Sequence, residues 1–156
     1  MRVECTKAEE VAQEAARAAG KILMEGFGEI GDDQIRLKGR GDYVTDLDSR
    51  SEDEIVRNLK LHFPECGILA EESGASDCGA DLIWIIDPLD GTANYVQNIP
   101  MFCVSIAARF KNTIIAGVVY DPVRDEMFSA AQGKGARLNG HPVSVSDRKE
   151  MSHSML

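Results

Sequence analysis

Two aspartates three residues apart, Asp87 and Asp90, follow the apolar run Leu82–Ile86, with Pro88 and Leu89 between them and Gly91-Thr92 behind. The run has no polar alternation and reads as a buried strand. Pro88 fixes its own φ and has no amide hydrogen for a ladder, so the chain is expected to turn there. Asp87 and Asp90 can then converge, one from the strand end and one from the turn. Gly91-Thr92 adds a flexible residue and a hydroxyl at the expected start of a short helix. Carboxylates, a turn carbonyl and free amide groups suit a hard divalent cation and a phosphate. Taken alone, the short D-P-L-D is better read as a capped turn, because Asp and Gly are ordinary turn residues.

Its companions change that balance. Trp84 to Tyr95 resembles the D-P-x-D-G-T-x-N signature of the inositol monophosphatase family of metal-dependent, lithium-sensitive phosphatases. Asp42 to Asp48 resembles the family's D-x-V-T-x-x-D segment, and Ala70-Glu71-Glu72-Ser73 its G-E-E-S segment with alanine for the first glycine. Gly133 to Gly140 is similar to its G-x-G-A-x-x-N-G run. The resemblance runs from the first helix through Ser146.

It implies an oxygen-only ligand set. Glu71, Asp87 and the Leu89 carbonyl would hold one metal, with Asp87 and Asp90 shared to a second. Such donors prefer Mg²⁺, or Mn²⁺ in its place, over zinc or copper. Asp48 and Thr92 would orient and activate the attacking water, assisted by Glu71, and the Gly91 and Thr92 amides would hold phosphate. The implied reaction is Mg²⁺-dependent hydrolysis of a small phosphate monoester, inositol monophosphate or a related sugar phosphate, by a metal-activated water. It needs charge neutralisation and an aligned nucleophile rather than a covalent protein group.

The residues also admit plainer readings. Asp46 and Asp48 near a helix start would favour the helix dipole in any protein. Adjacent glutamates on a strand point to opposite faces, so at most one of Glu71 and Glu72 meets the aspartates; the match makes it Glu71. Lys38, in a glycine-rich stretch over 29–41 read as a mobile loop, is more simply an exposed lysine than a contact to an anion.

The elements that must position these groups follow from spacing. Thr6 and Glu9 have the form of a capping box, and Ala8, Val11, Ala12, Ala15, Ala19, Ile22 and Leu23 recur at helical spacing up to Gly26-Phe27-Gly28. The alanine stripe predicts close packing on another helix. A second helix opens within 42–48, capped by Thr45 or Asp46, with Leu47, Ile55, Val56, Leu59 and Phe63 on its apolar face and Pro64 as its stop. After short strands at 35–37 and from Gly67, the second half reads as an antiparallel meander. Strands are expected at 101–110, 113–120, 126–131, 136–138 and 142–146, with Asn139-Gly140 as a hairpin turn. The predicted class is α+β: two N-terminal helices packed on a largely antiparallel sheet.

With 156 residues and 44% apolar content, one domain with a real core is expected. No run approaches the ~18 apolar residues of a membrane span, and Met1-Arg2-Val3-Glu4 lacks the apolar core of a signal peptide. A soluble cytoplasmic protein is the expectation. A net charge of −9, from 17 basic and 26 acidic residues, argues against nucleic acid or an anionic membrane as partner. Bound cations would then have to attract an anionic substrate. Cys5, Cys66, Cys78 and Cys103 show no C-x-x-C spacing, and His62, His141 and His153 are scattered, which disfavours zinc or redox chemistry.

One departure matters. The family continues into an α/β portion with a metal-binding aspartate in a W-D motif, so residues 1–156 correspond to its N-terminal α+β portion, with the C-terminal portion absent. Activity of this chain alone would be impaired, or would need a second copy or a complementary C-terminal chain. The alternative reading is a noncatalytic metal-binding or oligomerising module that keeps the fold.

Overall fold

The computed structural model describes residues 4–29, 35–39, 42–77, 79–147 and 149–150, with the strands between 35 and 45 described by their backbone alone. The expectations for Lys38, Cys78, the chain start and residues 151–156 lie outside the described residues. The elements run α1 (Cys5–Gly26), β1 (Ile35–Gly39), β2 (Asp42–Thr45), α2 (Asp46–His62), β3 (Gly67–Ala70), β4 (Gly74–Ser76), β5 (Leu82–Asp90) and α3 (Thr92–Val96). The meander follows as β6 (Cys103–Phe110), β7 (Thr113–Asp121), β8 (Glu126–Ala131), β9 (Gly135–Leu138) and β10 (His141–Val143).

β1 and β2 form a two-stranded ribbon, and the other eight strands form one sheet in the order β10-β9-β8-β7-β6-β5-β3-β4. Every neighbouring pair is antiparallel except β3 and β5. α1 and α2 pack on each other and on one face of this sheet, which is the predicted α+β class. At the meander's last turn, Asn139 and Gly140 both take positive φ, 49° and 80°, as the sequence pair predicts. Among the described residues no helix is long and apolar enough to cross a membrane.

α1 buries Ala8, Val11, Ala12, Ala15, Ala19 and Leu23. Its small side chains let it lie close to β6, β7 and β8 as well as α2. The capping box at Thr6 does not form. The Ala8 amide donates to the Glu4 carbonyl at 3.0 Å, so the first turn closes upstream and Thr6 sits inside the helix. A buried polar contact fixes α1 to the sheet: Ser129 Oγ donates to Glu9 Oε1 at 2.7 Å and accepts from Gln13 Nε2 at 3.3 Å. Ser129→Ala should therefore cost about 1–2 kcal/mol in urea unfolding, because Glu9 stays buried with one partner fewer.

α2 opens at Asp46, directly after Thr45, one of its two expected caps; residues 42–45 form a strand that the sequence reading did not anticipate, where Tyr43, Val44 and Thr45 are aromatic or β-branched and favour extended backbone. One further expectation is corrected: β5 does not end at Pro88 but runs to Asp90. Asp87 pairs with Ser105 and Asp90 with Cys103, so three steps along β5 match two along β6. Pro88 and Leu89 sit in this bulge, where a residue without an amide hydrogen is tolerated.

Candidate metal and phosphate site

The bulge shapes the site. The Leu89 side chain points into the core, 1% exposed, while its amide donates to Asp87 Oδ1 at 3.2 Å. The Thr92 hydroxyl donates to the Leu89 carbonyl oxygen at 2.9 Å and ties the turn to the start of α3. Gly91 joins the two at φ 94°, in the left-handed region. A Cβ there would lie 3.0 Å from the Met101 carbonyl oxygen and 3.3 Å from Phe102 Cα, both backbone atoms. Beyond it, Asn94 Nδ2 donates to the Met101 carbonyl at 2.8 Å.

β3 and β5 run parallel with Ala70 beside Ile86, so the next residues, Glu71 at the end of β3 and Asp87 within β5, come side by side. The Glu71 amide donates to the Ile86 carbonyl at 3.2 Å. Glu71 and Glu72 lie in the tight turn 71–73 between β3 and β4 rather than on a strand. The two glutamates are thus separated by turn geometry, not by the pleat. Burial pushes the Asp87 carboxyl up to about 7, helped by a hydrogen bond to Glu71 and by the charges of Glu71 and Asp90; the Leu89 amide opposes this.

Asp90 is exposed, and its Oδ2 accepts from Cys103 Sγ at 3.5 Å. Burial and the Asp90 charge push the Cys103 thiol up to about 12, so it stays protonated and acts as a donor. Asp48, on the first turn of α2, is 2% exposed. Its charge adds to burial in raising the Tyr95 phenol. The Tyr95 hydroxyl donates to the Leu23 carbonyl, which binds α3 to α1.

Among the described residues no three His, Cys, Asp or Glu side chains close into an arrangement that could hold a metal ion. The convergence expected for Glu71, Asp87 and Asp90 is therefore only partial: the first two meet, and Asp90 leans to Cys103. The donor set nevertheless fits a hard cation. Two carboxylates brought together across a parallel strand pair, a third three residues on and a carbonyl between them are all oxygen ligands. A carboxyl held near 7 by burial and by acidic neighbours is one whose charged form a cation would favour.

The sequence reading overlooked Glu52. It is 3% exposed, and its two carboxylate oxygens accept the amides of Glu72 and Ser73, each at 2.9 Å. Asp48, Glu52, Ile55 and Leu59 form one buried stripe of α2 at helical spacing. An acid falling within an apolar stripe is the signal that could have found it.

The family profile described as inositol monophosphatase family matches residues 4–156. The chain belongs to the inositol monophosphatase family. It is 42% identical over 147 residues to the Nus factor SuhB of Pasteurella multocida, covering 94% of this chain and 55% of that protein. It is 43% identical over 150 residues to inositol monophosphatase 1 of Solanum lycopersicum, covering 94% of this chain and 54% of that one. Among solved structures, the extragenic suppressor protein SuhB from Bartonella henselae superposes with a TM-score of 0.87 at 40% identity, over 91% of this chain and 55% of that one. The chain thus spans about half the length of the family relatives it matches.

Proposed function

We propose that this chain carries the metal-binding half of a Mg²⁺-dependent phosphatase acting on a small phosphate monoester, inositol monophosphate or a related sugar phosphate. The observation that carries the reading is the meeting of Glu71, at the end of β3, with Asp87 on the parallel strand β5, where β5 enters the bulge that holds Leu89. On this reading, residues 1–156 are the N-terminal α+β portion of a phosphatase domain. Glu71, Asp87 and the Leu89 carbonyl hold one Mg²⁺, and Asp87 and Asp90 reach a second; Mn²⁺ fits the same donors. When bound, the cations supply positive charge that draws in the anionic substrate and makes water more acidic.

The remaining work falls to the chain's own groups. Asp48 and Thr92 orient the attacking water; the Thr92 hydroxyl, donating to the Leu89 carbonyl, keeps its lone pairs free to accept from it. Glu71 assists in taking the proton, and the Gly91 and Thr92 amides bind the phosphate oxygens.

The test is phosphate release from a panel of inositol and sugar phosphates, with Mg²⁺ and with EDTA. Release that needs Mg²⁺ and disappears in Asp90→Asn is the expected result. Folded chain that releases no phosphate from any of them would overturn autonomous activity. One observation favours a second reading, an oligomerising module. The sheet face away from the helices exposes Val119 and Phe128 beside Ala107, Gly117 and Ala130, around a shallow cavity of about 360 Å³. Sedimentation would find a concentration-dependent oligomer in that case.

A further inference from the structure

We infer that Glu52 is a positioning residue, which holds Glu71 in place by clamping the backbone of the turn that presents it. The inference rests on the proposed metal site and adds to it a residue that touches neither cation nor substrate.

The geometry is specific. Glu71 is the first residue of a three-residue turn between β3 and β4. On its upstream side the ladder holds it, with its amide on the Ile86 carbonyl at 3.2 Å. On its downstream side, the next two amides point at one carboxylate. Glu72 N donates to Glu52 Oε2 and Ser73 N to Glu52 Oε1, each at 2.9 Å. Both acceptor oxygens are used, one per amide, and the carboxylate is buried within α2. Hydrogen bonds to a buried charged acceptor are stronger than neutral ones, and removing the acceptor leaves two amides to find water.

Glu52 lies four residues after Asp48, so the two acids stack on one helix face. One α2 face thus supplies the proposed water-orienting group and the clamp on Glu71. A shift of α2 would move Asp48 and the clamp together. Such outer-shell partners of metal ligands commonly change metal affinity 10–100-fold on mutation, roughly the range expected here.

The experiment compares the chain with Glu52→Gln, Glu52→Asp and Glu9→Gln. Mn²⁺ binding is read by calorimetry and by the loss of free Mn²⁺ signal in electron paramagnetic resonance; amide exchange is read at Glu72 and Ser73. Glu9 is the control, because it is also a buried acid on a helix but reaches Ser129, remote from Glu71 in the sheet order. Glu52→Gln should speed exchange at both amides and weaken Mn²⁺ binding by about tenfold or more. Glu9→Gln should lower the melting temperature while leaving Mn²⁺ affinity unchanged. Glu52→Asp keeps the charge on a shorter arm and should recover part of the affinity; it also serves if Glu52→Gln does not fold. Mn²⁺ affinity within twofold of the parent in a folded Glu52 variant would overturn the inference while leaving the metal site intact. Absence of Mn²⁺ binding in the parent chain would overturn the metal reading, and this inference with it.

Discussion

Asp87→Asn is expected to abolish metal-dependent turnover while making the metal-free chain more stable above neutral pH. Partners of metal ligands already cost 10–100-fold when mutated, so removing the ligand shared by both proposed cations should cost at least ~100-fold in Mg²⁺-dependent phosphate release. The stability gain follows from the carboxyl's environment. Its value rises from 3.8 in the open chain to about 7 in the fold, from burial first and then Glu71 and Asp90. A raised value means that the folded state binds the proton more tightly. Stability from this group is therefore complete below pH 4, falls as pH climbs through about 4 to 7, and stays low above. Asp87 is only half-buried, so solvent reduces the effect to roughly 1–2 kcal/mol. In EDTA at pH 8 the asparagine variant should melt higher than the parent, and at pH 4 the two should coincide. Adding Mg²⁺ should raise the melting temperature of the parent and not of the variant, because an ion stabilises only the state that binds it. Equal melting of both proteins in EDTA at pH 8 would show that Asp87 is not held against its neighbours.

What could be read from the chain beforehand divides along physical lines. The meander was legible because alternating burial, β-branched residues and an Asn-Gly pair each act locally. The helices were legible from their apolar spacing, and the second also from its cap at Thr45, but not the start of the first. Thr6 has the right partner at Glu9, yet the helix begins where the chain can first close a backbone turn onto Glu4. The strand at 42–45 was missed because it is made by pairing with β1, 35–39, and which segments pair is not written in either one alone.

The site was legible as residue types and not as geometry. That Asp87 and Asp90 could converge was read from a turn at Pro88, whereas the fold uses a bulge that keeps the strand running to Asp90. The parallel pairing of β3 and β5, which sets Glu71 beside Asp87, depends on where two distant segments meet in one sheet. Glu52 was legible only as an acid in the apolar stripe of α2; the amides it accepts lie twenty and more residues away. The motifs carry the donor set; the ladder and the helix face decide which donors meet.

Trp84→Ala should give the largest loss of stability among these substitutions. Trp84 is fully buried in the middle of β5, with its ring centroid 5.6 Å from that of Phe63, just past the end of α2. Truncation of a buried tryptophan typically costs about 3–5 kcal/mol, from lost apolar burial and the cavity left behind. For a domain of this size that is roughly 6–20 °C in melting temperature. Against a total of about 5–15 kcal/mol it is a large fraction. Trp84→Phe should cost much less. It keeps an aromatic partner for Phe63 and removes an indole Nε1 that is buried with no hydrogen-bond partner among the described residues. If Trp84→Ala melts within about 3 °C of the parent, the ring is not packed as described. The consequence for the site separates two kinds of support. Trp84 shares the helix-facing side of β5 with Ile86, while Asp87 takes the next position of the strand, set beside Glu71 by the β3–β5 ladder. Well below its melting point the Trp84→Ala chain should therefore keep most of its Mn²⁺ affinity. A Glu52 variant, by contrast, should lose affinity out of proportion to any loss of stability. The core holds the sheet together, and the helix face holds the ligands in register.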